Sequence, residues 1–194
     1  MIFPLRLLVW VLPVLLFAVP AVAFALYLAA VLGSPGSCVG EDRPITFTLQ
    51  AASSFQEKWD ELNASLDAGR AATATFSEDE ATSRARLWVS EHDVPVDELF
   101  ICFSDEGGAA SAEVDIPIVP GDVDILVRGT VLLLGVVPQA EVQEIEVGGI
   151  PSPLTDLVED FVTDLIDDQS EDALLAHDYI LTFSEGQMTV AGEP

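Results

Sequence analysis

Two segments of the chain carry apolar residues at the spacing of an amphipathic helix. The first ends at Gly69, and its stripe consists of Phe55, Trp59, Leu62 and Leu66. The second is the strongest helix pattern in the chain, and its other face is rich in Asp and Glu. Its stripe consists of Leu154, Leu157, Val158, Phe161, Val162, Leu165 and Ile166. We expect each of these helices to bury its apolar side.

A capping box predicts a further helix between these two. The Ser77 side chain can accept a hydrogen bond from the amide of Glu80, and the Glu80 carboxylate can reach back to Ser77. We expect this helix to run to about Ser90, with a strand over residues 71–76 in front of it. One side of the helix carries Ala81, Arg84, Ala85 and Trp88.

From Val96 onward the pattern changes to a period of two, which is typical of strands with one buried face. The clearest strand pattern has a polar face that includes Ser111 and Glu113. Its apolar face consists of Ala110, Ala112, Val114, Ile116 and Ile118. Further alternating segments and a closing hairpin between Tyr179 and Val190 predict an antiparallel meander. Residues 45–194 are therefore expected to form one α+β domain, with a curved antiparallel sheet packed on the long amphipathic helix.

The first 32 residues predict a transmembrane anchor. No charged residue occurs from Leu7 to Leu32, and about 20 apolar residues are enough to span the hydrocarbon core of a membrane. Arg6 is the only charged residue before residue 41, which favours a cytoplasmic N-terminus and an extracytoplasmic domain. Residues 33–44, rich in Gly and Pro, are expected to link the anchor to the domain.

Two alternatives to this single-pass anchor stay open at the sequence level. Residues 21–23 (Ala-Val-Ala) resemble a signal-peptide cleavage site, although the apolar run continues beyond the 7–15 residues of a usual signal core. Lipidation at Cys38 is the other alternative, but the preceding Ser-Pro-Gly-Ser fits a lipoprotein signal poorly. All three interpretations place the domain at the cell envelope, outside the cytoplasm.

The two cysteines, Cys38 and Cys102, are expected to form a disulfide in that oxidising compartment. The alternative is two free thiols. With only two cysteines and two histidines, far apart along the chain, we expect no zinc site.

The charge of the chain excludes one large class of partner. Seven basic residues face 33 acidic ones, for a net charge of −26. Such a surface repels nucleic acid, and it repels anionic lipid headgroups unless a tether holds the domain near them. Half of the residues are hydrophobic, so the chain is not an acidic disordered tail.

No catalytic motif is present in the sequence. His92 and His177 lie in no recognised catalytic spacing, and the chain has neither a nucleophile elbow nor a phosphate-binding loop. Carboxylates between Asp164 and Asp172 could attract calcium, but the central glycine of a calcium loop is missing. We therefore expect a protein that is not an enzyme and that needs no cofactor.

The order of segments resembles the membrane-anchored, extracytoplasmic LmeA-like and YpmS-like lipid-binding proteins. The resemblance covers residues 54–192. It rests on the segments 66–69 (Leu-Asp-Ala-Gly), 74–80 (Ala-Thr-Phe-Ser-Glu-Asp-Glu), 102–107 (Cys-Phe-Ser-Asp-Glu-Gly), 147–153 (Val-Gly-Gly-Ile-Pro-Ser-Pro), 183–186 (Phe-Ser-Glu-Gly) and 190–192 (Val-Ala-Gly). It implies one half of a tubular lipid-binding fold and a hydrophobic groove for a phospholipid or related amphiphile.

The lining of such a groove can be predicted from the apolar faces of the helices and strands. We expect it to contain Trp88, Phe103, Val114, Ile116, Leu157, Phe161 and Leu165. The alternative is a fully packed core in an envelope module that binds another protein, whose identity the sequence does not indicate. The expected partners are thus the membrane, through the N-terminal helix, and a phospholipid ligand, with no nucleic acid.

Overall fold

A computed structural model of the chain describes residues 35–39, 43–92, 94–115, 122–133, 139–148, 163 and 175–193. Its helices are α1 (Leu49–Asp67) and α2 (Glu78–Glu91). Its strands are β1 (Ala72–Ser77), β2 (Val96–Ser104), β3 (Gly107–Asp115), β4 (Asp122–Leu132), β5 (Gln139–Val147), β6 (Tyr179–Ser184) and β7 (Gln187–Gly192). Within these ranges no helix is long and apolar enough to span a bilayer. The predicted anchor (1–32) and most of the predicted helix 154–166 lie outside the described residues.

The strands form two antiparallel sheets. Sheet A has the order β1-β7-β6, and sheet B is the meander β2-β3-β4-β5. The amide of Tyr179 donates to the carbonyl of Leu133 at 2.9 Å, which joins the start of β6 to the chain just after β4. The predicted α+β class is therefore confirmed, and the described strands form no closed barrel.

Helix α1 packs on sheet A and forms the main core with it. Thr48 caps the helix by accepting a hydrogen bond from the amide of Ala51, and the turn after the helix has Gly69 at φ +72°, as its predicted role requires. The buried residues of this core are Leu62, Leu66, Phe76, Tyr179 and Val190. Each contributes about 1.5–3 kcal/mol by leaving water, so this cluster is the main apolar connection between the N-terminal helix and the C-terminal hairpin.

The capping box of α2 is confirmed and belongs to a larger network. The amide of Glu80 donates to Ser77 Oγ at 3.3 Å, and Glu80 Oε2 accepts from the amide of Ser77 at 3.0 Å. Lys58 and Ser54 of α1 also donate to the Glu80 carboxylate, at 2.8 and 2.6 Å. Burial acts to raise the pKa of Glu80, but these hydrogen bonds outweigh it and the pKa is lowered.

Helix α2 also protects the exposed edge of sheet B. Glu78 accepts from the amide of Phe103 at 2.8 Å, the Thr82 hydroxyl bonds both backbone groups of Ile101, and Arg86 Nε donates to the carbonyl of Leu99 at 2.6 Å. The three side chains are spaced by four residues, so they follow one side of the helix. They satisfy backbone groups of edge strand β2 that would otherwise offer a pairing site to another chain.

The predicted disulfide is confirmed. Cys38 and Cys102 are joined with a Cα–Cα distance of 6.0 Å, which holds residues 35–39 against sheet B. This segment covers Ser111, which the alternating pattern places on the polar face of β3 but which is only 8% exposed. The hydroxyls of Ser37 and Ser111 lie 3.5 Å apart. The alternation correctly predicts the two faces of β3, but it could not show that a distant segment covers the polar one.

Candidate ligand-binding groove

A cavity of about 560 Å³ lies between α2 and the two sheets. Its walls come from four parts of the fold. Helices α1 and α2 contribute Phe55, Ala81, Arg84, Ala85 and Trp88, sheet B contributes Ile101, Phe103, Gly108, Ala109, Ala110, Val127, Gly129, Thr130, Val131, Glu141 and Val142, and sheet A contributes Leu181, Phe183 and Met188. Almost every lining group is apolar, and we call this cavity the groove.

Helix α2 has two sides with different roles. Its polar side bonds the edge of β2, and its apolar side forms one wall of the groove. Thr82 and Arg86 bond the edge of β2, as described above. Ala81, Ala85 and Trp88 follow at intervals of three and four residues, so they lie on a neighbouring side of the helix, which borders the groove. Two of the three are alanines, and the helix therefore fills little of the space in front of it.

On the side of sheet B, which we call the floor, small residues leave space for the groove. The segment 107–112 of β3 reads Gly-Gly-Ala-Ala-Ser-Ala, and Gly108 is the cross-strand partner of Gly129 on β4. A methyl group at Gly129 would collide with the carbonyl oxygen of Glu141, because β4 and β5 shift register at this point. The close approach of these strands requires glycine, and the absence of side chains leaves room above the sheet.

Sheet A closes the groove with larger side chains. The rings of Phe103 on β2 and Phe183 on β6 lie 5.9 Å apart between centroids, so they connect the two sheets across one end of the cavity. At the far side of sheet B, Val131 and Val142 are 38% and 36% exposed. The groove therefore includes both an aromatic pair that joins the two sheets and two partly exposed valines of β4 and β5.

Two charged side chains line the groove, and they stand on different walls. Arg84 belongs to α2, and Glu141 belongs to β5. Arg84 Nε donates to Gln56 Oε1 at 3.3 Å, and its Nη1 lies 3.7 Å from Glu91 Oε2. Charged groups are thus confined to two positions in an otherwise apolar lining.

The structure brings together some of the residues predicted for a groove and separates another. Trp88 and Phe103 line the groove. Val114 instead lies in a buried cluster with Val123 and Ile125, farther along sheet B. The other predicted residues, Ile116, Leu157, Phe161 and Leu165, lie outside the described residues. The sequence analysis missed the contributions of β6 and β7 and the small residues of the floor, for which the Gly/Ala run at 107–112 was the available signal.

The histidines have structural contacts. His177 Nε2 lies 2.9 Å from Asp67 Oδ1, which ties the approach to β6 to the end of α1. The His92 ring stacks on Trp88 with centroids 4.5 Å apart. In the described part of the chain, no group of three or more His, Cys, Asp or Glu side chains could hold a metal ion. The carboxylates of 164–172 that could attract calcium lie outside it.

No family model, curated protein or solved structure matches this chain. The resemblance to the LmeA-like and YpmS-like proteins therefore stays a prediction, and the argument about function rests on the groove.

Proposed function

We propose that this protein is a membrane-tethered, non-catalytic domain on the extracytoplasmic side that binds a phospholipid or related amphiphile in the groove. The observation that carries the proposal is the apolar cavity of about 560 Å³ between α2 and the two sheets. Its volume falls within the range of small-molecule sites, about 300–1,000 Å³, and its lining has the mostly apolar character of such sites.

The energetics favour an aliphatic ligand. Each methylene group that leaves water contributes about 0.8 kcal/mol, so ten of them would contribute about 8 kcal/mol before the entropic costs of binding. A polar metabolite would lose its hydration without finding hydrogen-bond partners along most of this lining. An acyl chain has no polar groups whose hydration could be lost. We therefore propose an amphiphile as the ligand class.

The attachment of the segment before α1 supports an action close to the bilayer. Pro35 follows the end of the predicted anchor at Leu32 by three residues, which span at most about 11 Å. The disulfide at Cys38 and an ion pair of 2.6 Å between Arg43 and Glu185 fasten the segment to the domain. A chain held in this way keeps the domain beside the membrane in which amphiphiles reside.

The test is native mass spectrometry of the full chain extracted from membranes in a non-ionic detergent. We expect the wild type to carry co-purified lipid. Ala85→Trp places an indole in the groove and should remove most of that lipid. Ala64→Trp makes the same change on the exposed side of α1 and is the matched control, which should keep the lipid.

Two results would contradict the proposal. If the wild type carries no lipid while Ala85→Trp lowers the melting temperature sharply, the groove is filled by the chain itself, and the protein-binding module with a packed core becomes the better interpretation. If Ala64→Trp and Ala85→Trp reduce the lipid equally, the lipid is bound elsewhere than in the groove.

A further inference from the structure

One positive side chain lines the groove in a domain that is strongly acidic. After residue 40 the chain has six basic and 33 acidic residues. The other basic side chains with described contacts are engaged away from the groove. Lys58 donates to Thr75 and Glu80 at 2.9 and 2.8 Å, Arg128 pairs with Glu144 and Glu146, Arg86 bonds Leu99, and Arg43 pairs with Glu185.

Arg84, like Arg86, makes a single hydrogen bond to a described residue, but unlike Arg86 it lines the groove. Its one hydrogen bond to a described residue is the 3.3 Å contact of Nε with Gln56. The 3.7 Å separation of Nη1 from Glu91 is too long for a hydrogen bond, and the carboxylate of Glu91 is half exposed. Both terminal nitrogens are therefore available to another acceptor. A guanidinium presents two parallel N–H groups to a carboxylate or phosphate, which is the geometry that such a group prefers.

Arg84 lines the groove, while its guanidinium lies at the surface beside the exposed Gln56 and Glu91. It lies between Ala81 and Ala85 and four residues before Trp88, all of which line the same cavity. The other charged lining residue, Glu141, is on β5, three strand spacings or about 14 Å from β2, beside which α2 lies.

We infer that Arg84 binds the anionic end of the ligand, a carboxylate or a phosphate, while the aliphatic part of the ligand occupies the groove. The inference rests on the proposed function and adds the charge of the ligand to it. The ligand replaces the weak contact of Arg84 with Glu91 by charge-assisted hydrogen bonds, and an uncharged amphiphile of the same length gains no such bonds.

The experiment compares ligands that differ only in charge. The full chain in a non-ionic detergent is incubated with oleate against oleyl alcohol and with dioleoyl phosphatidic acid against dioleoylglycerol, and native mass spectrometry gives the bound ratio of each pair. We expect the wild type to prefer the anionic member by about tenfold. Arg84→Gln should bring the ratio close to one while neutral ligands still bind, and Arg84→Lys should restore part of the preference. Arg70→Gln removes an exposed arginine that does not line the groove and should leave the ratio unchanged.

The outcomes separate this inference from the proposed function. Equal binding of charged and neutral ligands by the wild type would overturn the role of Arg84 and leave the groove in place. An equal loss of preference in Arg70→Gln would overturn it as well, because the effect would then be one of overall charge. No binding of any of the four ligands would overturn both proposals. If the inference holds, the stronger of the two anionic ligands shows whether a carboxylate or a phosphate is the natural headgroup.

Discussion

The two described helices α1 and α2 each pack beside a sheet, with opposite results. Helix α1 meets sheet A through large side chains: the rings of Phe55 and Phe76 lie 4.4 Å apart between centroids, and those of Trp59 and Tyr179 lie 5.2 Å apart. Helix α2 lines the groove with Ala81, Arg84, Ala85 and Trp88, and β3 of sheet B lines it with the small residues Gly108, Ala109 and Ala110. The first pair of surfaces forms a core, and the second leaves a groove.

The comparison shows that side-chain volume decides between a core and a groove. Protein interiors reach the packing density of organic crystals only where facing side chains fill the space between two backbones. The rings of Phe103 and Phe183 pair between the two sheets, and the small groove residues Ala81, Ala85 and Gly108 leave the space beside them unfilled. Helix α2 is held to the edge of sheet B by the hydrogen bonds of polar side chains rather than by the packing of large apolar side chains.

The largest expected effect separates the two regions directly. Phe76 is fully buried in the core under α1, so Phe76→Ala should lower the free energy of unfolding by about 3–5 kcal/mol. Trp88 is a larger residue but borders a cavity that already exists, and Trp88→Ala should cost less than about 2 kcal/mol. Denaturant titration of the two variants measures both values. Equal losses would show that the region around α2 is packed as tightly as the core.

The next effect concerns the disulfide, which joins Cys38 of the segment 35–39 to Cys102 on β2 of sheet B. Cys38 and Cys102 are separated by 64 residues, and removal of the bridge in Cys38→Ser should lower stability by about 2–4 kcal/mol because the unfolded chain regains its freedom. Chemical denaturation under non-reducing conditions gives the value. Ser53→Ala, on the exposed side of α1, is the control and should cost less than about 0.5 kcal/mol. A wild-type midpoint for Cys38→Ser would contradict the assigned role.

A smaller effect tests the polar fastening of α2. Thr82→Val keeps the size of the side chain but leaves both backbone groups of Ile101 without their hydroxyl partner, which should cost about 1–3 kcal/mol. Hydrogen exchange should also become faster at the amide of Ile101. Ser90→Ala at the exposed end of the same helix is the matched control. Unchanged protection of Ile101 in Thr82→Val would mean that α2 does not protect the edge of the sheet.

The smallest effect is the pH dependence contributed by Glu80. Its pKa is lowered in the folded state, so its contribution to stability is fully present above the unfolded value of 4.5 and is lost as the pH falls through the folded pKa. Glu80→Gln should therefore be less stable than the wild type at neutral pH and should lose less stability on acidification. Melting temperatures between pH 3 and 7 measure this, with Glu57→Gln on the exposed side of α1 as the control. Parallel curves for Glu80→Gln and the wild type would contradict it.

Much of the local structure could be predicted from the sequence. The end of α1 near Gly69, the capping box of Ser77 and Glu80, the start of β2 at Val96 and the pairing of the two cysteines all agree with the structure. Each depends on residues close together in the chain, or on there being only one possible partner. The arrangement of the strands could not be predicted in this way: β1 pairs with β7 more than 100 residues later, and neither segment carries a sign of its partner.

The sequence by itself determined the end of α1, the capped start of α2, the start of β2, the strong negative charge of the chain and the availability of one disulfide. Periodicity, capping and composition are properties of short segments, so they can be read without knowing the fold. Only the tertiary structure decided that Ser111 is covered, that Val114 lies apart from the groove, and that Arg84 lines an apolar cavity with a single hydrogen bond to a described residue. These features depend on which surfaces of the fold meet and on the size of the side chains between those surfaces. Gly108, Ala109 and Ala110 line the groove because of where the fold places α2 and the two sheets, and no local pattern records that arrangement.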